Sequence, residues 1–196
     1  MTRVLDVGLS LIGLILCAPI LALLWVIGWL ENGSPLFRQE RVGRYQKPFI
    51  LVKFRTMRLD TASVATHLAD ASAVTPFGRL LRLSKLDELP QLWNVLKGEM
   101  SLVGPRPCLL NQTELICERE SRNIFDARPG ITGLAQINGI DMSSPELLAE
   151  TDATMLRDMN MVSYFKYIIK TVFGSGRGDR IQPRQEQEIN WHETKR

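Results

Sequence analysis

The chain has 196 residues, a length that favours one domain with one sizeable core over two domains. Its formal net charge of +3 is too small by itself to indicate a nucleic-acid-binding protein. Three cysteines and two histidines disfavour a disulfide framework, a zinc site and a histidine-based relay, and they leave any acid-base chemistry to carboxylates.

The first predicted element is an apolar segment, residues 7 to 30, which contains no charged residue. About 20 apolar residues span a bilayer, so this segment predicts contact with a membrane. Pro19 near its middle predicts a kink or a reversal, and Arg3 before it and a basic cluster after it draw both ends toward the cytoplasm. A helix-break-helix hairpin and a straight single span both stay open, and a secretory signal peptide is a weaker alternative.

Two short strands, residues 36 to 41 and 49 to 56, are predicted to form a β-hairpin around a loop with Gly43 and Pro48. Alternation places Lys53 and Arg55 on one face of the second strand, and a solvated face is the simpler interpretation of this pair. Basic side chains nevertheless crowd this region and predict an anionic partner: a phosphate ligand, a lipid headgroup or a nucleic acid. They are Arg38, Arg41, Arg44, Lys47, Lys53, Arg55 and Arg58.

The rest of the chain is predicted to be mostly helical. Leucine spacing predicts one helix near residue 80 and a second from 89 to 96 that ends at Gly98. Residues 111 to 126 fit a charged surface helix. Residues 144 to 173 fit a further helix, in which Lys166 and Lys170 suit either a membrane interface or a helix packed on the core.

The predicted fold class is therefore α+β and mostly helical, with a small β-hairpin and surface or interfacial helices. Residues 1–32 are assigned to the membrane segment and residues 33–173 to a domain continuous with it. Residues 174–196 form a polar tail that is predicted to be loosely ordered.

The adjacent carboxylates Asp87 and Glu88 have two interpretations, a helix cap and a pair that carries chemistry. Pro90 favours Asp87 as the N-cap residue of the second helix, because Pro90 then falls in the first turn, where its missing N–H matters little. Capping and chemistry are compatible at such a position, since the end of a helix favours an anion.

Basic residues surround this pair in the sequence and would help to keep Asp87 ionised; they are Arg79, Arg82 and Lys85. An ionised Asp87 could attack a phosphoryl group if a divalent cation screened the two anions, with Glu88 as the metal ligand beside it. Arg106, in the stiff stretch "GPRP", could hold a phosphate in a fixed geometry. These residues by themselves leave the choice between cap and catalyst open.

Five stretches of the chain resemble, in order, the motifs of one bacterial enzyme family. They are the apolar segment with its central proline, "SPLFRQERVG", "FILVKFRTM", "KLDELPQLWNVLKGEMSLVGPRP" and "RPGITGLAQING". By these motifs the chain is similar to the bacterial sugar transferase family, in particular to its small monotopic phosphoglycosyl transferases. The resemblance covers about residues 3 to 173, and its central motif is long and specific.

The resemblance implies a two-step covalent reaction. Asp87 would attack the sugar-linked phosphate of a UDP-sugar and release UMP, and a polyprenol phosphate, typically undecaprenyl phosphate, would then take the phosphosugar from the aspartate. Glu88, together with Asp87, would hold Mg²⁺. The residues that meet phosphates would be Lys53, Arg82 and Arg106, and further pocket residues would be Arg55, Gln136 and Asp152.

The resemblance also implies a re-entrant membrane helix broken at Ala18 and Pro19, in the inner (cytoplasmic) membrane of a bacterium, with the catalytic domain on the cytoplasmic face. The expected partners are a UDP-sugar, undecaprenyl phosphate and the lipid bilayer, with no nucleic acid, and a homo-oligomer stays open. The chain departs from the family at Ala18, where serine is frequent, and at Met155, where an aromatic residue is frequent. Nothing in the sequence indicates which sugar is transferred.

Two rival hypotheses accompany this one. A membrane-tethered protein that only binds an anionic ligand would lose that ligand steeply with added salt and would release no UMP. A one-step enzyme would bind both substrates together, use Asp87 only as a metal ligand and never carry a phosphosugar.

Overall fold

The computed structural model describes residues 2–61 and 71–173, so the predicted tail at 174–196 lies outside the described residues. The described part is mostly helical with two small sheets, which confirms the predicted α+β class. The helices are α1 (Thr2–Asn32), α2 (Pro76–Ser84), α3 (Gln91–Lys97), α4 (Thr113–Ser121), α5 (Leu134–Ile137), α6 (Pro145–Arg157) and α7 (Met161–Val172). The strands are β1 (Leu36–Val42), β2 (Pro48–Phe54), β3 (Ser101–Val103) and β4 (Gly130–Thr132).

The first sheet is the predicted β-hairpin. β1 and β2 pair antiparallel, with Leu36 opposite Phe54 at one end and Val42 opposite Pro48 at the other. The first and last residues of both strands lie within two residues of their predicted positions. The inward face of β2 packs on α3, because Leu51 shares a buried apolar cluster with Val95, Phe49 and Met100.

The second sheet is a short parallel pair that the sequence patterns did not predict. Ser101 lies opposite Gly130 and Val103 opposite Thr132, which brings the stretch "SLVGPRP" against the stretch "RPGITG". A Cβ atom on Gly104 would lie 2.4 Å from the carbonyl oxygen of Arg128, so no other residue fits this contact without a shift of the backbone. Two separate motif stretches therefore form one rigid unit.

The helix predicted over residues 144 to 173 is in fact two helices, α6 and α7. The break comes at Asn160, whose side-chain oxygen accepts the N–H of Ser163, while the Ser163 hydroxyl oxygen accepts the N–H of Asn160. This reciprocal capping starts a new helix and outweighs the continuous apolar pattern. On α7, Tyr164 and Tyr167 are buried whereas Lys166 and Lys170 are exposed.

The membrane segment forms α1, a single helix that continues through Ala18 and Pro19. The predicted break in helical structure at these residues is therefore not confirmed, and a proline removes only one backbone hydrogen bond from a helix. Within residues 2–61 and 71–173, α1 is the one helix long and apolar enough to cross a membrane, and only 11% of its most apolar window is buried. A core helix would be mostly buried, so α1 indicates association with a membrane.

Only one stripe of α1 packs against the rest of the protein. Its buried residues recur at helical spacing and are Asp6, Ser10, Leu24 and Gly28. Between them, a Cβ atom on Gly13 would lie 3.2 Å from a methyl carbon of Leu92 in α3. The helix therefore lies along the folded domain and leaves a broad apolar face exposed.

A buried carboxylate near the start of α1 forms hydrogen bonds to β3 and α7. Asp6 is 2% exposed, and its Oδ1 atom accepts hydrogen bonds from the Ser101 hydroxyl (2.9 Å), the Leu102 N–H (2.9 Å) and the Tyr164 hydroxyl (2.7 Å). Burial first, and then the hydrogen bond and negative charge of Asp6, raise the pKa of Tyr164. Tyr164 therefore remains a donor to Asp6 at any physiological pH.

We expect Tyr164→Phe to lower the stability of the fold by about 2 kcal/mol, because it removes one buried hydrogen bond to a charged acceptor. For a protein of this size the midpoint of thermal unfolding should fall by roughly 4 to 8 °C. Circular dichroism of the detergent-solubilised chain measures it. Tyr45→Phe, at a tyrosine that is 56% exposed, is the matched control and should leave the midpoint in place. Equal midpoints for Tyr164→Phe and the native chain would contradict this role for Asp6.

Candidate active site

The strand that carries Lys53 is fixed by a buried amide on α3. Asn94 is fully buried, its Oδ1 atom accepts the N–H of Val52 (3.1 Å), and its Nδ2 atom donates to the carbonyl of Ile50 (2.7 Å). The side chain thus pairs with the free edge of β2 as another strand would. Lys53 and Arg55 share a face as predicted, because both cationic groups lie over the ring of Phe37, at 5.6 and 5.5 Å from its centre.

The two adjacent carboxylates lie in a tight turn between α2 and α3. Thr75 is the N-cap residue of α2, and its hydroxyl oxygen accepts the N–H of Gly78. The helix ends at Ser84, because Lys85 adopts a left-handed conformation with φ of 57°. A single 3₁₀ turn, Leu86–Glu88, follows, and α3 starts only after Pro90. The prediction that Asp87 caps α3 is wrong, because the left-handed residue tightens the chain into a separate turn before the helix can begin.

Ser84, the last residue of α2, does not cap α3 either. Its hydroxyl donates to the carbonyl of Leu80 within α2 (2.8 Å) and so faces back along that helix. The side chain of Asp87 instead points inward, since the residue is only 7% exposed. A buried carboxylate that caps no helix needs a different explanation, and the charges around it supply one.

Three cationic side chains from separate parts of the fold act on Asp87. Burial first, and the Glu88 carboxylate second, raise the pKa of Asp87 to about 7. The three cations oppose this rise, and they are Lys53 of β2, Arg82 of α2 and Arg106 of the loop after β3. No helix end contributes to this balance, because Asp87 caps no helix, whereas Arg82, one of the basic residues expected to keep this carboxyl ionised, does lower its pKa.

Glu88 and Arg106 form an ion pair beside Asp87. Arg106 Nη2 lies 3.1 Å from Glu88 Oε1, and the two side chains are 26% and 16% exposed. Lys85 belongs to the same group of charges, because both Glu88 and Arg106 act on it. Burial is the main cause of its lowered pKa, Arg106 lowers the pKa further, and Glu88 opposes this change. Arg82 donates a hydrogen bond from its Nε atom to the Thr56 hydroxyl oxygen (2.8 Å), which orients the Arg82 side chain.

Asp87 and Glu88 are the residues that could hold Mg²⁺. The described residues contain no group of three or more histidine, cysteine, aspartate or glutamate side chains that could hold a metal ion by themselves. Mg²⁺ is commonly bound by one or two carboxylates together with substrate phosphates and waters, and two adjacent carboxylates fit that donor set. The surrounding cations suit phosphates as the remaining ligands.

The loop that carries Arg106 is held along its whole length. Five consecutive backbone carbonyls, from Gly104 to Cys108, each accept a hydrogen bond. Their donors are, in order, Gln136 Nε2 (3.4 Å), the Gly130 N–H (2.8 Å), Arg119 Nη1 (2.8 Å), Arg41 Nη1 (3.1 Å) and the Val42 N–H (2.9 Å). The backbone that carries the Arg106 side chain therefore has little freedom to move, as the two prolines of "GPRP" predict.

The hydrogen bonds of the three further pocket residues of the sequence prediction go to parts of the chain other than Asp87 and Glu88. Arg55 donates through Nε to the carbonyl of Ser34 (3.0 Å) and so holds the link between α1 and β1. Gln136 donates to the carbonyl of Gly104. Asp152 is fully buried and paired with Arg119 at 2.6 Å, which does not fit a place on an open pocket wall.

Three buried polar residues of the fold around the site were missed from the sequence: Asp6, Asn94 and Arg119. Each is at least 98% buried and lies on a helix, α1, α3 and α4 respectively. Residue type gave no signal, because such residues are mostly exposed in folded proteins. Partners of these three residues lie 95, 44 and 13 residues away along the chain, respectively, beyond the reach of local patterns.

Comparison with known proteins gives the family. A family model described as "Bacterial sugar transferase" matches residues 1–177. The chain is 42% identical over 161 residues to "Uncharacterized sugar transferase EpsL" of Bacillus subtilis (strain 168), which covers 81% of this chain and 79% of the relative. It is also 39% identical over 180 residues to "UDP-glucose:undecaprenyl-phosphate glucose-1-phosphate transferase" of Caulobacter vibrioides. This match covers 87% of this chain and 67% of the relative.

A third relative is much longer than this chain. It is "Undecaprenyl-phosphate galactose phosphotransferase" of Salmonella typhimurium, 36% identical over 154 residues, which are 70% of this chain and 32% of the relative. The chain belongs to the bacterial sugar transferase family. The predicted family and the predicted enzyme class, a phosphoglycosyl transferase, are thereby confirmed.

Proposed function

We propose that this enzyme transfers a sugar 1-phosphate from a UDP-sugar to undecaprenyl phosphate through a phosphosugar bound to Asp87. The observation that carries the proposal is the buried Asp87 carboxylate, with Glu88 beside it and three cations directed at it. Such a site suits a transferring phosphoryl group, whose charge must be balanced while it moves. The names of the Caulobacter and Salmonella relatives, both undecaprenyl-phosphate transferases, support the acceptor.

In the first step a carboxylate oxygen of Asp87 attacks the phosphorus that carries the sugar. The bond from that phosphorus to the bridging oxygen breaks, and UMP leaves with the bond's electron pair. In the second step an oxygen of undecaprenyl phosphate attacks the same phosphorus and displaces the Asp87 carboxylate. Two highly anionic substrates then need not occupy one basic site at the same time.

The chain's own cations would balance charge throughout this cycle. Lys53, Arg82 and Arg106 reach the site from three separate elements, so their positions are set before substrate arrives. Glu88 and Asp87 would hold Mg²⁺, which when bound would screen the charge between the carboxylate and the phosphate. Arg106 would keep Glu88 in place through their ion pair.

We further propose that α1, although it is helical through Pro19, enters and leaves the membrane on one side, with both of its ends on the cytoplasmic face of the inner membrane. Near its start, Arg3 donates to the carbonyls of Val95 (2.7 Å) and Leu96 (3.0 Å). Near its end, Glu31 accepts a hydrogen bond from the Thr75 hydroxyl (3.1 Å). Both ends thus bond to one folded unit, whereas the ends of a spanning helix of 31 residues, about 46 Å long, lie on opposite sides of a bilayer.

Apolar side chains on other elements support contact with the same bilayer. On α7 they recur at helical spacing and are exposed; they are Val162, Phe165, Ile169 and Val172. Leu83 of α2 is 78% exposed. Together with the open face of α1, these exposed apolar residues support association with a bilayer.

Cysteine labelling in intact cells tests the topology. In a chain whose Cys17 and Cys117 are replaced by serine, Thr2→Cys should react only with a reagent that reaches the cytoplasm. Lys47→Cys, on the exposed β1–β2 loop, is the matched reporter for the catalytic domain and should give the same result. Labelling of Thr2→Cys from the outer side alone would contradict the re-entrant helix and leave a single span.

The reaction is tested with purified protein, Mg²⁺, undecaprenyl phosphate and a panel of UDP-sugars, with UMP as the measured product. We expect UMP release with at least one sugar and, without the lipid, a protein mass increased by one phosphosugar. A protein that binds these ligands but never releases UMP would fit the binding hypothesis. UMP release that always requires the lipid, with no adduct on the protein, would fit the one-step enzyme.

A further inference from the structure

We propose that Arg119, held in place by Asp152, is a positioning residue for Arg106. The inference rests on the proposed function, because Arg106 is taken to meet the transferring phosphate. Within the described part of the chain, Arg119 donates hydrogen bonds to the Arg106 carbonyl and to Asp152, so it acts on the site through the backbone of Arg106.

The contacts of Arg119 link α6 to the loop after β3. Its Nη2 atom lies 2.6 Å from Asp152 Oδ2, and its Nη1 atom donates to the carbonyl of Arg106 at 2.8 Å. The side chains of Arg119 and Asp152 are 2% and 0% exposed, so water cannot replace either bond. One planar guanidinium thus joins a fixed carboxylate to the residue whose own side chain reaches Glu88.

The geometry requires arginine at this place. Two different nitrogens of one rigid group serve two acceptors, and a lysine would have to serve both with a single ammonium at the end of a flexible chain. Arg41 supports the next carbonyl, that of Pro107, so two buried guanidinium groups hold neighbouring points of one loop. The carbonyls of two consecutive residues, Arg106 and Pro107, are therefore each held by a buried arginine.

Stability alone does not explain such a pair. Replacing a buried ion pair by apolar residues of similar volume is often neutral or stabilising. The reason is that the attraction between the two charges can be smaller than the hydration free energy that both lose on burial. The bond from Arg119 to the Arg106 carbonyl is what an apolar replacement would lose. A folded chain without the pair should therefore keep its stability and lose the alignment of Arg106.

The test uses the double variant Arg119→Met with Asp152→Leu, in the native chain and in an Arg106→Ala chain. UMP release gives kcat and KM for a UDP-sugar that the native chain uses, and thermal unfolding gives stability. In the native background kcat should fall at least about tenfold while KM changes less than about twofold. In the Arg106→Ala background the further fall in kcat should be less than about twofold, because the residue to be positioned is gone.

The matched control is Arg122→Met with Glu118→Leu, which removes a partly exposed pair beside Arg119 and should leave kcat unchanged. If the buried double variant does not fold, Arg119→Lys, which keeps the charge facing Asp152, carries the same comparison. A folded variant with native kcat, or an equal fall in both backgrounds, would overturn the inference. A native chain that releases no UMP with any donor would instead contradict the proposed function itself.

Discussion

Asp87→Asn should abolish UMP release, with a fall in rate of at least about 10³-fold. An amide has no anionic oxygen to form a bond to phosphorus, although it has nearly the same shape as the carboxylate. Asn is also neutral, and burial disfavours a charge at this place, so the fold should remain intact. The measurements are UMP release without lipid and the mass of the protein after incubation with the donor.

Asp126→Asn is the control for this variant, since Asp126 is exposed and lies on the 3₁₀ turn after α4. It should release UMP at the native rate and show the same mass increase. Native-rate UMP release by Asp87→Asn would remove Asp87 as the nucleophile. A third outcome is that Asp87→Asn loses UMP release but the native chain never carries a phosphosugar. That outcome would favour Asp87 as a metal ligand in a one-step enzyme.

Arg106→Ala should lower kcat/KM for the UDP-sugar by about 10²-fold, comparable to the loss of one donor that stabilises a transition state. The substitution removes a cation that acts on Asp87 and the partner of Glu88. Arg106→Lys should fall between the native chain and Arg106→Ala, because it restores the charge without the planar fork. Steady-state UMP release with increasing donor concentration measures all three chains.

Arg122→Ala is the matched comparison for Arg106→Ala, since both arginine side chains are 26% exposed and both pair with a glutamate. A fall of similar size in Arg122→Ala would point to a general loss of positive charge or of stability. An Arg106→Ala chain with native kcat/KM would exclude Arg106 from phosphate binding.

Local pattern was sufficient for the elements whose residues contact near neighbours in the chain. The β1–β2 hairpin and the end of α3 at Gly98 were predicted from alternation and a turn signal, and helical spacing predicted that the residues of α7 are helical. Local pattern failed where two local signals competed. Asn160 divides a continuous apolar pattern into α6 and α7, and Lys85 places Asp87 in a turn before α3.

The candidate site was predicted in part, and for a specific reason. The motifs indicated Asp87, Glu88, Lys53, Arg82 and Arg106 by residue type, and the structure brings these five together. The wider pocket was harder to predict, because the role of Asp152 depends on a partner 33 residues earlier in the chain. Sequence indicates that a buried aspartate needs a partner and does not indicate which one.

The sequence by itself determined the residue types of the site, the apolar length of α1 and the turns and caps that fold locally. Only the tertiary structure decided that Asp87 is buried beside Glu88 and three cations, that Asp6 joins α1 to Tyr164, and that Arg119 holds the Arg106 carbonyl. The physical reason is distance along the chain. Periodicity and capping reflect contacts within a few residues, whereas burial and charge pairing depend on residues that meet only after the chain has folded.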